Sequence, residues 1–188
     1  MTFPFAPLMP FKYGALLVDP PWSYAMRSEK GYAKSPEAHY GTMSDDAVMS
    51  LPVGHLASEH CLIFMWAVWP KLPLAMAALE RWGFQYKTGG SWNKLTRTGK
   101  PTFGTGYILR SSCEPFLIGT IGAPVIGSRS MRNVINSERR EHSRKPPEAR
   151  VALEKLCPNA YRAELFAREA WAGNETWGNE TEKFGEAA

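Results

Sequence analysis

The chain of 188 residues has only three cysteines, Cys61, Cys113 and Cys157, far apart and with no Cys-x-x-Cys pair. An odd, scattered set excludes a disulfide framework and lacks zinc-ligand spacing, so no metal is expected and the thiols suit a reducing compartment. Long apolar runs are absent as well, none approaching the roughly 18 residues that a membrane span needs. The first ten residues lack a basic start and contain three prolines. That composition does not fit a signal or transit peptide and leaves the cytoplasm as the expected location, with no membrane partner. No strand is followed by a Gly-x-Gly-x-x-Gly loop, which disfavours a dinucleotide such as NAD. Internal repeats and low-complexity tracts are missing too, so neither a solenoid nor a disordered chain is indicated.

What is present is ordinary globular material, 44% hydrophobic and 21% charged. A chain of this size suits one core, and a single domain is expected over residues 11–180, with an N-terminal extension at 1–10 and a frayed tail at 181–188. The formal net charge of +4 is unevenly spread. Between Gly127 and Arg150, seven cations (Arg129, Arg132, Arg139, Arg140, Arg144, Lys145 and Arg150) face three anions, Glu138, Glu141 and Glu148. Such a stretch suits a polyanionic partner, although a solvated face has the same composition.

Short apolar runs alternate with helical patterns, the signature of an α/β fold. Gly14 to Val18 reads as a buried strand that stops at Asp19, because the two prolines after it cannot continue a central strand. Residues 23–41 are polar and read as a loop. Ser44 then reads as the N-cap of a helix over Asp45 to Leu51. Cys61 to Ala67 is a second strand, followed by a helix from about Lys71 to Trp82 that ends before Gly83. Phe84 to Trp92 and Pro115 to Ile121 read as strands joined by a Gly- and Thr-rich connection, Leu95 to Gly106. Pro146 and Pro147 open a helix through Leu156, and Arg162 to Arg168 reads as the last strand.

The chemistry concentrates at Asp19-Pro20-Pro21-Trp22. A carboxylate at the carboxyl end of a buried strand lies where open α/β sheets bind ligands, and the prolines fix the loop that carries it. Such a loop suits a planar amino group whose lone pair is delocalised. Asp19 and the Pro20 carbonyl could accept its two N–H groups and aim the lone pair at an electrophile, while Trp22 or Tyr24 could stack on an extruded base. The structural alternative is that Asp19 caps a turn and Trp22 fills the core.

Asp-Pro-Pro-Trp resembles the catalytic motif of amino-methyltransferases that act on adenine, cytosine or, in a related form, glutamine. The stretches Ala15 to Trp22, His39 to Ser44, Phe64 to Ala67, Trp82 to Phe84, Glu141 to Pro146, Glu164 to Arg168 and Trp177 to Glu180 extend this likeness. Together they resemble the MT-A70 family of adenine-N(6) methyltransferases over about residues 11–180, most closely its short prokaryotic or phage members. The resemblance implies a Rossmann-like methyltransferase fold with a mostly parallel sheet and helices on both faces. It also implies a permuted motif order, with the catalytic motif N-terminal and the cofactor strand C-terminal. The implied cofactor is S-adenosylmethionine, with Asp19, Lys145, Glu164, Phe166, Arg168, Asn179 and Glu180 around it. Lys145, directly before a helix N-terminus, would hold the methionine carboxylate. Ala167 stands where the family often has glycine and does not reach a positive φ at low cost.

On the substrate side, the resemblance places His39 and Tyr40 near the active site, where a structural role is the alternative. It places Glu114 at a position facing the base, with pairing to an arginine as the alternative; Tyr24 and Ser143 are further substrate-side candidates. Arg139, Arg140 and Arg144 are the candidate phosphate contacts. DNA is the preferred substrate from the compactness of the chain, with RNA second, and a homodimer is a further expectation. The competing class is a non-catalytic nucleic-acid-binding subunit.

Overall fold

A computed structural model describes residues 3–23, 43–106, 108–141, 144–179 and 181. Seven strands form one sheet: β1 (Tyr13–Val18), β2 (Ala57–Trp66), β3 (Gln85–Leu95), β4 (Cys113–Ile121), β5 (Val134–Glu138), β6 (Arg162–Leu165) and β7 (Glu175–Trp177). Their order is β5-β3-β4-β2-β1-β6-β7. Four of the six pairings are parallel (β1 with β2, β1 with β6, β6 with β7 and β3 with β5), and β4 runs antiparallel to both neighbours.

The side-chain alternation of β1 and β2 builds two cores. Tyr13, Leu16, Val18, Ile63 and Met65 face one side, against helices α1 (Asp45–Met49) and α2 (Leu72–Arg81) through Val48, Ala75, Ala78 and Leu79. Ala15, Leu17, Leu62, Phe64 and Trp66 face the other, against Ala149 and Leu153 of helix α3 (Glu148–Leu156). A strand buried on both faces must be apolar throughout, which is why β1 reads as a continuous run. Phe5 and Leu8, before the first strand, are buried in the first core, and Phe5 meets Trp177 edge-to-face at 5.0 Å.

Most elements lie within a few residues of their expected bounds. Ser44 caps α1 by accepting from the Ala47 amide, but the helix stops at Met49. Two strands have no counterpart in the sequence reading. Strand β5 lies inside the basic stretch, where its polar alternation resembles a solvated face until it pairs with β3. Strand β7 has only three residues and is recognisable through its pairing with β6. The strand expected to reach Arg168 ends at Leu165, because Phe166 turns to φ 62. The loop reading for residues 23–41 falls almost entirely outside the described residues. Among the described residues no helix is long and apolar enough to cross a membrane.

Candidate active site

From β1 the chain departs toward β2, and from β6 it departs toward β7 on the opposite side. The two exits diverge, which opens a crevice beyond the carboxyl ends of β1 and β6 where doubly wound sheets bind ligands. Val18 pairs with Leu165, and the next residues, Asp19 and Phe166, form the lip. The Asp19 amide donates to the Leu165 carbonyl at 3.3 Å, so the catalytic-loop candidate is anchored to the neighbouring strand. Pro20 and Pro21 then form a tight turn in which the Trp22 amide donates to the Pro20 carbonyl at 2.8 Å, while the Met43 amide donates to the Pro21 carbonyl.

Trp22 corrects one expectation. Its ring is 3% exposed, packed in the first core, and its Nε1 donates to the Trp66 carbonyl at 3.2 Å. A ring held this way braces the loop and offers no face for a base. The reason is tertiary: the first core and the Trp66 carbonyl, 44 residues along the chain, take the ring.

Asp19, by contrast, faces the cleft. Lys145 Nζ sits 3.2 Å from its Oδ1 and is hydrogen-bonded to Glu114 on the other side. The second Glu114 oxygen takes Lys94 Nζ at 2.7 Å. Asp19, Lys145, Glu114 and Lys94 thus form an alternating line of charge, with Lys145 also 5.2 Å from the centre of the Trp66 ring. Burial pushes the Asp19 carboxyl above its ordinary range, and the Lys145 ammonium opposes that shift only in part. Burial also opposes ionisation of Glu114, but Lys145 and Lys94 outweigh it and hold that carboxyl down at about 2. Two carboxylates on one ammonium are therefore inequivalent: Glu114 is firmly ionised and Asp19 is the more basic.

On the β6 side, Glu164 is 8% exposed and paired with Arg150 Nε at 2.7 Å. Burial raises its carboxyl to about 7, with Arg150 pulling the other way. A folded-state value above the ordinary 4.5 means that the unfolded chain ionises first. Stability is therefore lost as pH rises from about 4.5 to 7, by up to about 3 kcal/mol. The stability gap between wild type and Glu164→Gln should shift in the variant's favour by that amount across this window, as read from urea midpoints. A gap that does not change with pH would show that Glu164 stays ionised throughout.

Ala167 is not the strained position. The left-handed residue is its neighbour Phe166, whose ring meets Trp177 edge-to-face at 5.3 Å. The small residue that matters structurally is Gly178, where a Cβ would stand 2.7 Å from the Ala167 carbonyl oxygen and 2.9 Å from its amide nitrogen. Gly178→Ala must push the β6 exit away, with an expected loss of about 1–3 kcal/mol in urea denaturation. Unchanged stability would mean that the segment yields freely.

A narrow pocket runs between these walls, lined by Leu17, Asp19, Lys145, Glu164, Phe166 and Arg168 among others. The charge of Arg168 is felt at Asp19. Asn179 is exposed just past β7. The expected phosphate contacts Arg140 and Arg144 both pair with Glu169, at 3.2 and 2.6 Å, and Arg139 is exposed with its amide on the Leu95 carbonyl. Tyr24, His39, Tyr40, Ser143 and Glu180 lie outside the described residues. Lys94, Trp66, Arg150 and Glu169 join the site without having been expected there. Trp66 lies within the Phe64 to Ala67 stretch, Glu169 directly follows Arg168 and Arg150 ends the basic stretch, so each had a sequence signal; Lys94 reaches the site only through the pairing of β3 with β4.

The crossover at β1 and β6 and a carboxylate-ended loop facing a cationic cleft define a Rossmann-like methyltransferase fold. The chain belongs to the MT-A70 family, whose model matches residues 13–180. A putative N(6)-adenosine-methyltransferase MT-A70-like protein of Medicago truncatula is 37% identical over 84% of this chain and 24% of its own length. The type II methyltransferase M.MunI of Mycoplasma is 30% identical over 90% of this chain and 78% of its own. The human N(6)-adenosine-methyltransferase catalytic subunit METTL3 is 30% identical over 84% of this chain and 26% of its own. The chain thus spans about a quarter of the plant and animal relatives it matches.

Proposed function

We propose that this chain transfers the methyl group of S-adenosylmethionine to the exocyclic 6-amino nitrogen of adenine in DNA, with the base turned out of its stack into the cleft. The reading is carried by Asp19, a basic carboxylate at the sheet's crossover, in an Asp-Pro-Pro-Trp loop pinned to β6. The adenine amino group is a weak nucleophile because its lone pair is shared with the ring. Asp19 accepts one of its N–H groups. The Pro20 carbonyl, with one lone pair already on the Trp22 amide, accepts the other with its second. Both contacts draw the lone pair onto the nitrogen and fix its direction. The upward-shifted pKa of Asp19 suits it to take the proton the nitrogen releases after transfer, which then passes to water.

S-adenosylmethionine, when bound, supplies an electrophilic methyl group on sulfonium sulfur. The donors lining the pocket fit it: the Lys145 ammonium suits a carboxylate, Arg168 suits ribose hydroxyls, and Phe166 gives an apolar wall. Glu164 lines the pocket but is engaged with Arg150, so it shapes the wall without being a free acceptor.

The likeness to a type II methyltransferase, which spans 78% of that protein, supports DNA, and the N(6)-adenosine-methyltransferase relatives support RNA as the second reading. Methyl transfer from labelled S-adenosylmethionine to DNA, RNA and protein, followed by nucleoside analysis, tests both. Label in DNA as N(6)-methyladenine is the expected result. Label only in RNA replaces the substrate, and label only in protein removes the adenine reading. A homodimer would enlarge the nucleic-acid surface, and a fully active monomer in light scattering would exclude it.

A further inference from the structure

One wall of the pocket is a second charged cluster, in which Glu169, Arg144 and Arg150 line the cavity beside Lys145. Glu169 accepts Arg140 Nη1 at 3.2 Å on one oxygen and Arg144 Nε and Nη2 at 3.0 and 2.6 Å on the other. Its backbone carbonyl takes Arg150 Nη2 at 3.0 Å, and the next carbonyl, Ala170, takes Arg150 Nη1. Arg140 uses the same Nη1 on the Lys145 carbonyl at 3.1 Å. The Glu169 side chain is 18% exposed and its arginines between 14% and 22%. A two-pronged arginine contact with this little water is directional, unlike a solvated surface pair.

We propose that Glu169 is a positioning residue: it gathers Arg140 and Arg144 from the basic segment onto the β6 exit and so sets Lys145 against Asp19 and Glu114. Between the end of β5 and the start of α3, the described residues around Lys145 belong to no helix or strand. This segment is held by an Arg139 amide on β3, by Arg140 and Arg144 on Glu169, and by Arg150 on the backbone beyond β6. Three guanidinium groups (Arg140, Arg144, Arg150) meet the carboxylates of Glu141, Glu164 and Glu169, so the most basic stretch of the sequence is largely neutralised on this side. Phosphate binding by Arg140 or Arg144 would have to compete with Glu169.

The inference rests on the methyltransferase reading for its kinetic consequence but not for its structural one, and two measurements separate them. In the unliganded full chain, Glu169→Gln should raise amide hydrogen exchange at Arg139, Arg144 and Lys145 by about tenfold or more, while Glu169→Asp restores it to within about threefold. With S-adenosylmethionine, Glu169→Gln should raise the cofactor KM about tenfold, with kcat changed less than about threefold. The polynucleotide KM should not rise, because the freed arginines add positive charge. Unchanged exchange in a folded Glu169→Gln protein overturns the proposal, as does a parallel loss of every kinetic parameter with active fraction. Should that variant not fold, Arg144→Lys, which keeps the charge but loses the two-pronged contact, must show the same exchange and cofactor effects. A wild type that binds no S-adenosylmethionine sinks the methyltransferase reading, and amide exchange alone then decides the role of Glu169.

Discussion

Asp19→Ala should abolish methyl transfer, with a fall of about a thousandfold or more in single-turnover rate and little change in stability. In the proposed mechanism the side chain is the acceptor for the reacting amino group, and losing one such preorganised contact costs about a hundred- to a thousandfold. A further loss arises because the amino group is no longer oriented. Stability is spared because burial already penalises the Asp19 charge, as its raised pKa records. Asp19→Asn is the sharper variant. It keeps the shape and one acceptor oxygen but cannot hold the released proton, so it should remain at least about a hundredfold slow. Wild-type turnover by either variant would refute the assigned role, and a folded, inactive protein that still binds S-adenosylmethionine would support it.

Lys145→Met should act on two quantities at once. Losing the ammonium leaves Asp19 and Glu114 facing each other without the cation between them, so both become harder to ionise. For Asp19, already shifted upward, the further rise carries the acid limb of the rate profile to higher pH, because the ionised form is the acceptor. For Glu114, held at about 2 by Lys145 and Lys94, the stability present above the ordinary carboxylate range and lost toward about pH 2 should shrink. Breaking a largely buried pair costs up to about 3–5 kcal/mol, and solvent at these side chains favours the lower part of that range. The cofactor KM should rise about thirtyfold or more from the lost carboxylate partner. Lys145→Arg should retain most of the stability and little of the geometry. An acid limb that stays in place in Lys145→Met would separate Asp19 from the observed titration.

The two variants probe different distances in sequence. Asp19 is legible because everything that marks it is local: an apolar strand, its end, and two prolines that stiffen the loop. The helices are legible on the same ground, as Ser44 at its cap and the Ala152 and Leu153 face of α3 show. Lys145 is legible as a cation before a helix, but not as the partner of two carboxylates. That depends on β4 bringing Glu114 and β3 bringing Lys94 to the same sheet end, through the pairing of Trp92 with Glu114. Trp22 is ambiguous in sequence because both roles suit an aromatic after two prolines, and packing in the first core against the Trp66 carbonyl chooses between them. Arg140 and Arg144 are ambiguous because composition counts charges without showing which are already paired.

By itself, the sequence determined the α/β class, the ends of β1 and of two helices, and a rigid carboxylate loop matched to distant motifs of one family. Hydrophobic period, capping and proline geometry act over a few residues, so they can be read along a chain. The tertiary structure alone decided which charges neutralise one another, which aromatic is core, and that Asp19 is the more basic of two carboxylates sharing one ammonium. Those properties depend on burial and on ångström separations between residues up to about a hundred and twenty-five positions apart, from Asp19 to Lys145, which only strand register and packing fix.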